Sequence, residues 1–143
     1  MENNLESIIQ KVTPKLLSLS EAAASQPRAV GKWSSKEILG HLIDSACNNH
    51  RRMIKMQIHS GLSFDNYEQD DWVRLQQYQQ RSWADLVSLW QAYNLHLAHV
   101  ITQIPQASLM NTGKFGEVVT LEFLAKDYIR HLEHHLSQIM ERV

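Results

Sequence analysis

Apolar residues at Leu5, Ile8, Ile9, Val12, Leu16 and Leu17 recur with the 3.6-residue period of an amphipathic helix. Pro14 interrupts that pattern. It lacks an N–H and crowds the preceding turn, so a kink or restart is expected there, with the segment ending near Leu19. Ser20 is placed to cap a short extra turn through Glu21 to Ala24, and Ser25 to Lys32 reads as a linker. A longer helix is predicted from Ser34 or Ser35 to about Ser60. Ile38, Leu42, Ala46, Asn49 and Met53 make one stripe, and Leu39, Ile43, Ile54 and Ile58 widen it. Glu37 stands in the capping-box position after Ser34, and Gly61 follows as a terminator. Residues 61–81 form a polar connection punctuated by Phe64, Tyr67, Trp72 and Tyr78, with one short helical turn near Asp70 to Leu75. Its length suits a crossover. A third helix starts at Ser82, carries Leu86, Leu89, Tyr93, Leu97, Val100 and Ile104, and ends at Pro105. Residues 106–118 hold Gly113 and Gly116 in a loop with a hairpin-like turn, after which Thr120 caps a last helix running to the C-terminus. The pattern predicts an all-α fold: a four-helix bundle in one domain over residues 1–143, with a long crossover between the second and third long helices.

Composition narrows the function. At 143 residues and 16.6 kDa the chain is one domain with a real core. Apolar residues make up 43% and charged residues 20%, with no run of about 18 apolar residues, so no membrane span is expected. The first ten residues carry two glutamates and no basic stretch, so no secretory signal is expected and the cytoplasm is the predicted location. A net charge of -1 offers no attraction to a phosphate backbone, which argues against nucleic acid as partner. The single Cys47 excludes an intrachain disulfide and a cysteine-built metal site, and it is expected to be a small apolar filler. The oddity is eight histidines, three of them between His131 and His135.

On the last helix the apolar stripe reads Leu121, Leu124, Tyr128, His131, His135 and Gln138, so two histidines point inward one turn apart and can converge on one ion. His134 shares the wet flank with Lys126, Arg130 and Glu133 and is excluded. The third ligand is expected to be His41, which lies on a polar seam with Glu37, Ser45, Asn48 and Arg52 that is costly to bury unless something uses it. Three neutral imidazoles plus a water match an open divalent site for zinc, nickel or iron. Such an ion supports hydrolysis through an acidified water, or transfer of a small thiol bound as thiolate. Arg52 and Asn48 are expected to hold the carboxylate of a small anionic cosubstrate. Glu37 is a candidate base or partner to a ligand, with an exposed helix-start carboxylate as the competing reading. His50, His59, His96 and His99 are read as surface or edge residues, and Trp33, Trp72, Trp83 and Trp90 as packing anchors. The rival class is a non-catalytic metal-binding, structural or sensory helical protein acting as a dimer. A structural site prefers four protein ligands, and three favour catalysis.

The segment Gly31–Ser45 (GKWSSKEILGHLIDS), the later Tyr67–Trp72 (YEQDDW) and the terminal His131–Ile139 (HLEHHLSQI) together resemble the DinB-like superfamily, especially its YfiT-like group, to which metal-dependent hydrolase activity is ascribed. The resemblance implies a four-helix bundle in up-down-down-up order. It also implies a three-histidine metal site at the open end, falling here on His41, His131 and His135. An asparagine and an arginine further along the second long helix match Asn48 and Arg52. Related proteins include transferases of low-molecular-weight thiols such as bacillithiol or mycothiol, and maleylpyruvate isomerase-like enzymes. A homodimer is implied by the same kinship.

Overall fold

The computed structural model describes residues 1–142. Its longest helix, α3 (Ser35–Ile58), begins at a complete capping box: Ser34 Oγ accepts from the Glu37 N–H, and Glu37 Oε1 accepts from the Ser34 N–H at 3.0 Å. Two donors that the helix leaves without partners are thereby satisfied. Before it lie α1 (Leu5–Leu17) and the short α2 (Glu21–Ser25), which Ser20 caps as its sequence position suggests. α1 does not restart at Pro14 but continues through it. The proline sits in the last turn of α1, where both it and Gln10, the residue whose carbonyl it leaves unpaired, are exposed. Solvent can reach that carbonyl, so its missing helical hydrogen bond costs little.

The crossover after α3 contains β1 (Leu62–Ser63), α4 (Gln69–Gln76) and a single 3-10 turn at Tyr78–Gln80. It folds back along α3: Tyr78 Oη donates to Asp44 Oδ1 at 2.6 Å, Gln76 Nε2 donates to the same oxygen at 2.7 Å, and Ser34 Oγ donates to Gln79 Oε1 at 2.8 Å. By residue 79 the chain is back at the start of α3. Consequently α5 (Trp83–Thr102) sets out from the same end as α3 and runs parallel to it. The N-terminal ammonium donates to the Thr102 carbonyl at 3.1 Å, and Trp83 Nε1 to the Leu16 carbonyl at 2.7 Å, so α1 lies antiparallel to α5. The last helix, α6 (Leu121–Met140), packs on α3 in the opposite sense. Up-down-down-up order follows from these contacts, with α1, α3, α5 and α6 as the four members.

Leu5, Ile9 and Leu16 of α1, Leu39, Leu42 and Met53 of α3, Leu86, Trp90, Leu97 and Ile101 of α5, and Leu132, Leu136 and Ile139 of α6 fill the centre, all nearly or fully buried. The predicted loop before α6 is more ordered than its composition suggests. It holds a hairpin, β2 (Thr112–Phe115) and β3 (Glu117–Thr120), turning at Gly116 with φ +83°, and β1 pairs parallel to β2. Asn111 Nδ2 ties it to the Met56 carbonyl of α3 at 2.9 Å. Among the described residues, no helix is long and apolar enough to cross a membrane.

Candidate metal centre

Gly40 and His41 open the site together. A Cβ on Gly40 would lie 2.2 Å from the Tyr78 ring, so only glycine lets that ring lie flat against α3 while its hydroxyl reaches Asp44. His41, the next residue, points to the opposite partner, α6, and is 1% exposed. There it meets His131 and His135, which α6 presents one turn apart as the i, i+4 spacing requires. One ligand atom from each of the three lies within 4.8 Å of the others, and among the described residues no other set of three His, Cys, Asp or Glu side chains does this. His41 Nε2 and His131 Nε2 are 3.3 Å apart. Ring centroids stand 5.1 Å apart for His41–His131, 4.8 Å for His41–His135 and 4.6 Å for His131–His135.

The electrostatics favour lone pairs over protons. Burial, then the neighbouring His135 and His131, push His41 down to about 4; burial, then His135, push His131 down to about 4 as well. His135 is lowered too, chiefly by burial. All three rings are therefore neutral near pH 7. His135 Nδ1 lies 2.9 Å from Gln138 Oε1, which accepts only a proton-bearing nitrogen and so leaves Nε2 as the free donor. The donor set fits a divalent ion. Metal–nitrogen bonds of about 2.0–2.1 Å in tetrahedral geometry separate two ligand nitrogens by roughly 3.3–3.4 Å, the spacing found between His41 and His131. Trp33, which precedes the cap of α3, lays its ring against His41 with centroids 5.1 Å apart. That contact went unread in the sequence, where Trp33 looked like one more packing anchor.

Two hollows reach the centre from opposite flanks. One, of about 210 Å³, is lined by His131, Ser45, Asn49, Arg52, Tyr67 and Phe115, with Tyr128 and Asp127 of α6 among the remaining walls. The other, of about 910 Å³, is an open groove along His135, Trp33, Arg28, Lys32 and Gln138. In the smaller one the Arg52 guanidinium lies 4.7 Å from the Phe115 ring centroid and 5.8 Å from that of Tyr67. Its hydrogen bond goes to the Asp65 carbonyl at 3.3 Å, and among the described residues it forms no salt bridge. Asp127, across the cavity, is engaged by Arg130 at 2.7 Å.

The other residues of the polar seam are placed differently from one another. Asn48 gives its amide to the Asp44 carbonyl at 2.9 Å and does not line either hollow; Asn49, assigned to the apolar stripe from its spacing, lines the Arg52 cavity instead. One residue is 100° of helix, enough to carry the amide from one flank of His41 to the other. Glu37 commits Oε1 to the cap of α3. Cys47 is exposed, not the apolar filler its composition suggested.

Comparison with known proteins agrees with this architecture. A protein of Halalkalibacterium halodurans, provisionally named a metal-dependent hydrolase, is 21% identical over 127 residues, covering 87% of this chain and 74% of its own. The solved structure of YfiT from Bacillus subtilis, described as a probable metal-dependent hydrolase with an unusual four-helix bundle topology, superposes with a TM-score of 0.83 at 18% identity, over 97% of this chain and 83% of that one. Residues 5–139 match the DinB superfamily, which spans all four bundle helices and the three histidines, and the chain belongs to that family.

Proposed function

We propose that this protein is a metal-dependent transferase that joins a small anionic thiol to an electrophile at the His41–His131–His135 centre. The observation that carries the reading is the pair of hollows. A hydrolase needs room for one substrate and a water, whereas here two separate compartments meet at one set of ligands, lined by His131 on one side and His135 on the other. Arg52 is a cation without a carboxylate partner in the smaller compartment, and a substrate carboxylate would complete it by charge-assisted hydrogen bonds. The wider groove, open to solvent, suits an electrophile of less restricted shape. A divalent ion held by the three imidazoles would act as a Lewis acid that brings the acidity of a ligated thiol or water toward neutrality.

The chain's own residues supply the rest. Gln138 holds the His135 ring in its ligating tautomer, Trp33 fixes the plane of His41, and Arg52 with Asn49 orients the anionic end of the thiol. In the reaction a sulfur–carbon bond forms as the bond from carbon to its leaving group breaks, and the thiol proton passes to solvent. Simple hydrolysis is the second reading, supported by the descriptions of the relatives. The test is a panel of carboxylated and uncharged thiols with an aryl halide, beside ester and amide substrates without thiol, using tag-free protein loaded with zinc, nickel or ferrous iron. Thiol-dependent turnover is expected, with KM for the carboxylated thiol raised about 10-fold or more in Arg52→Ala, as for loss of a hydrogen bond to a charged group. Thiol-independent hydrolysis transfers the assignment to the second reading, and no turnover with any ion overturns both.

A further inference from the structure

Outside the centre, His50 and His96 meet on the seam between α3 and α5, with His99 beside His96. His50 of α3 faces His96 of α5 with ring centroids 5.4 Å apart and planes at 79°, and His99 follows one turn on, its ring 6.3 Å from that of His96. The pairing resembles that of the metal centre: one imidazole from α3 faces one from a neighbouring helix, whose next histidine stands at i, i+3 rather than i, i+4. The His50–His96 separation exceeds the 5.1 Å of His41–His131 by only a few tenths of an ångström. Nine residues separate His41 from His50, a rotation of about 180° and a rise of about 13.5 Å, so the two sets occupy opposite faces of one helix.

The outer set also has the surroundings of a ligand. His50 is half-buried, and its Nδ1 lies 2.9 Å from Tyr93 Oη. When Nδ1 carries the proton and donates it to that oxygen, Nε2 is left free, which is how ligating histidines are commonly held. Burial and then the adjacent His96 keep the His50 ring below its ordinary value, so it is neutral at pH 7. No acidic side chain forms an ion pair with any of the three rings among the described residues.

We propose that His50, His96 and His99 form a second, exchangeable site for a nitrogen-seeking divalent transition-metal ion, separate from the centre formed by His41, His131 and His135. Two of its donors, His96 and His99, are exposed, and three ligand atoms do not yet converge within 4.8 Å, so its ion is held less tightly than that of the centre. His99 is exposed, so its ring can turn among its rotamers, and the ion rests chiefly on His50 and His96.

Calorimetric titration of tag-free, metal-stripped protein with zinc alone tests this. Two binding events per chain are expected, the weaker by about 10-fold or more in affinity. His50→Ala and His96→Ala each remove the weaker event and leave the tighter one, whereas His131→Ala removes the tighter and leaves the weaker. Because His96 is exposed, its variant keeps the fold, which circular dichroism verifies. In NMR spectra the ring protons of His50, His96 and His99 shift only with the second equivalent. A single event in the wild type overturns the proposal, and so does a second event that persists undiminished in the His50→Ala/His96→Ala double variant.

Discussion

His41 is the most deeply set of the three ligands, and its two neighbours on α6 differ from His134 only in the side of the helix they occupy. That difference is sharp enough to predict a contrast between adjacent residues. His41→Ala, His131→Ala or His135→Ala should each remove the tightly bound ion from protein purified without a histidine tag, while His134→Ala leaves it in place; metal analysis of the four purified variants decides. Three neutral imidazoles bind as a set, so loss of one costs most of the affinity rather than a third of it. Gln138 acts one step out. Gln138→Leu keeps all three ligands but frees the His135 ring to change tautomer, and a drop in metal affinity of about 10-fold or more is expected by competition against a chromophoric chelator.

At the scale of elements, the start of α3 is where the crossover and the site are joined. Gly40→Ala would drive a methyl into the Tyr78 ring, and the ring is held by its bond to Asp44, so it has little freedom to retreat. Overpacking of this kind costs about 1–3 kcal/mol, to be seen as a lower midpoint in urea unfolding. Ser34→Ala removes the cap and the bond to Gln79 and should cost about 1–2 kcal/mol in the same measurement. The elements themselves were largely legible: α3, α5 and α6 follow their apolar period and their Ser34, Ser82 and Thr120 caps. The hairpin was legible only as a turn around its glycines, because four-residue strands such as Thr112–Phe115 and Glu117–Thr120 are too short to show alternation. The convergence of His41, His131 and His135 was legible because helical spacing dictates which histidines face inward. Asn49 and Trp33 were not, since which flank of His41 a half-buried side chain serves depends on what α6 and the linker bring to it, and the outer histidines are related only through the parallel docking of α5 on α3.

For the whole molecule, burying neutral imidazoles ties stability to pH. His41 and His131 are held near 4 in the folded protein against about 6.5 in an unfolded chain, so between those values the unfolded state binds more protons. The contribution of these rings is complete above about pH 6.5 and is lost as pH falls through that window toward 4. Thermal melts of metal-free protein should show Tm declining over this range, and the decline should flatten in His41→Ala/His131→Ala, where only His135 of the three rings remains to be charged. Zinc should stabilise the protein at neutral pH by binding only the folded form, by about 2.7 kcal/mol at a free concentration 100 times its dissociation constant, and the accompanying rise in Tm should be lost as pH falls below about 4, where the folded rings take up protons.

His41 and His131 are separated by ninety residues of chain. Until α6 has settled against α3, a metal meets at most the i, i+4 pair of α6 without His41, and it has little purchase on the early steps by which the helices assemble. Capture is thus the closing event of maturation. Scarcity of the ion would leave the speed of folding untouched and shorten only the lifetime of the finished bundle, so that supply governs how long each copy survives and not how many are made.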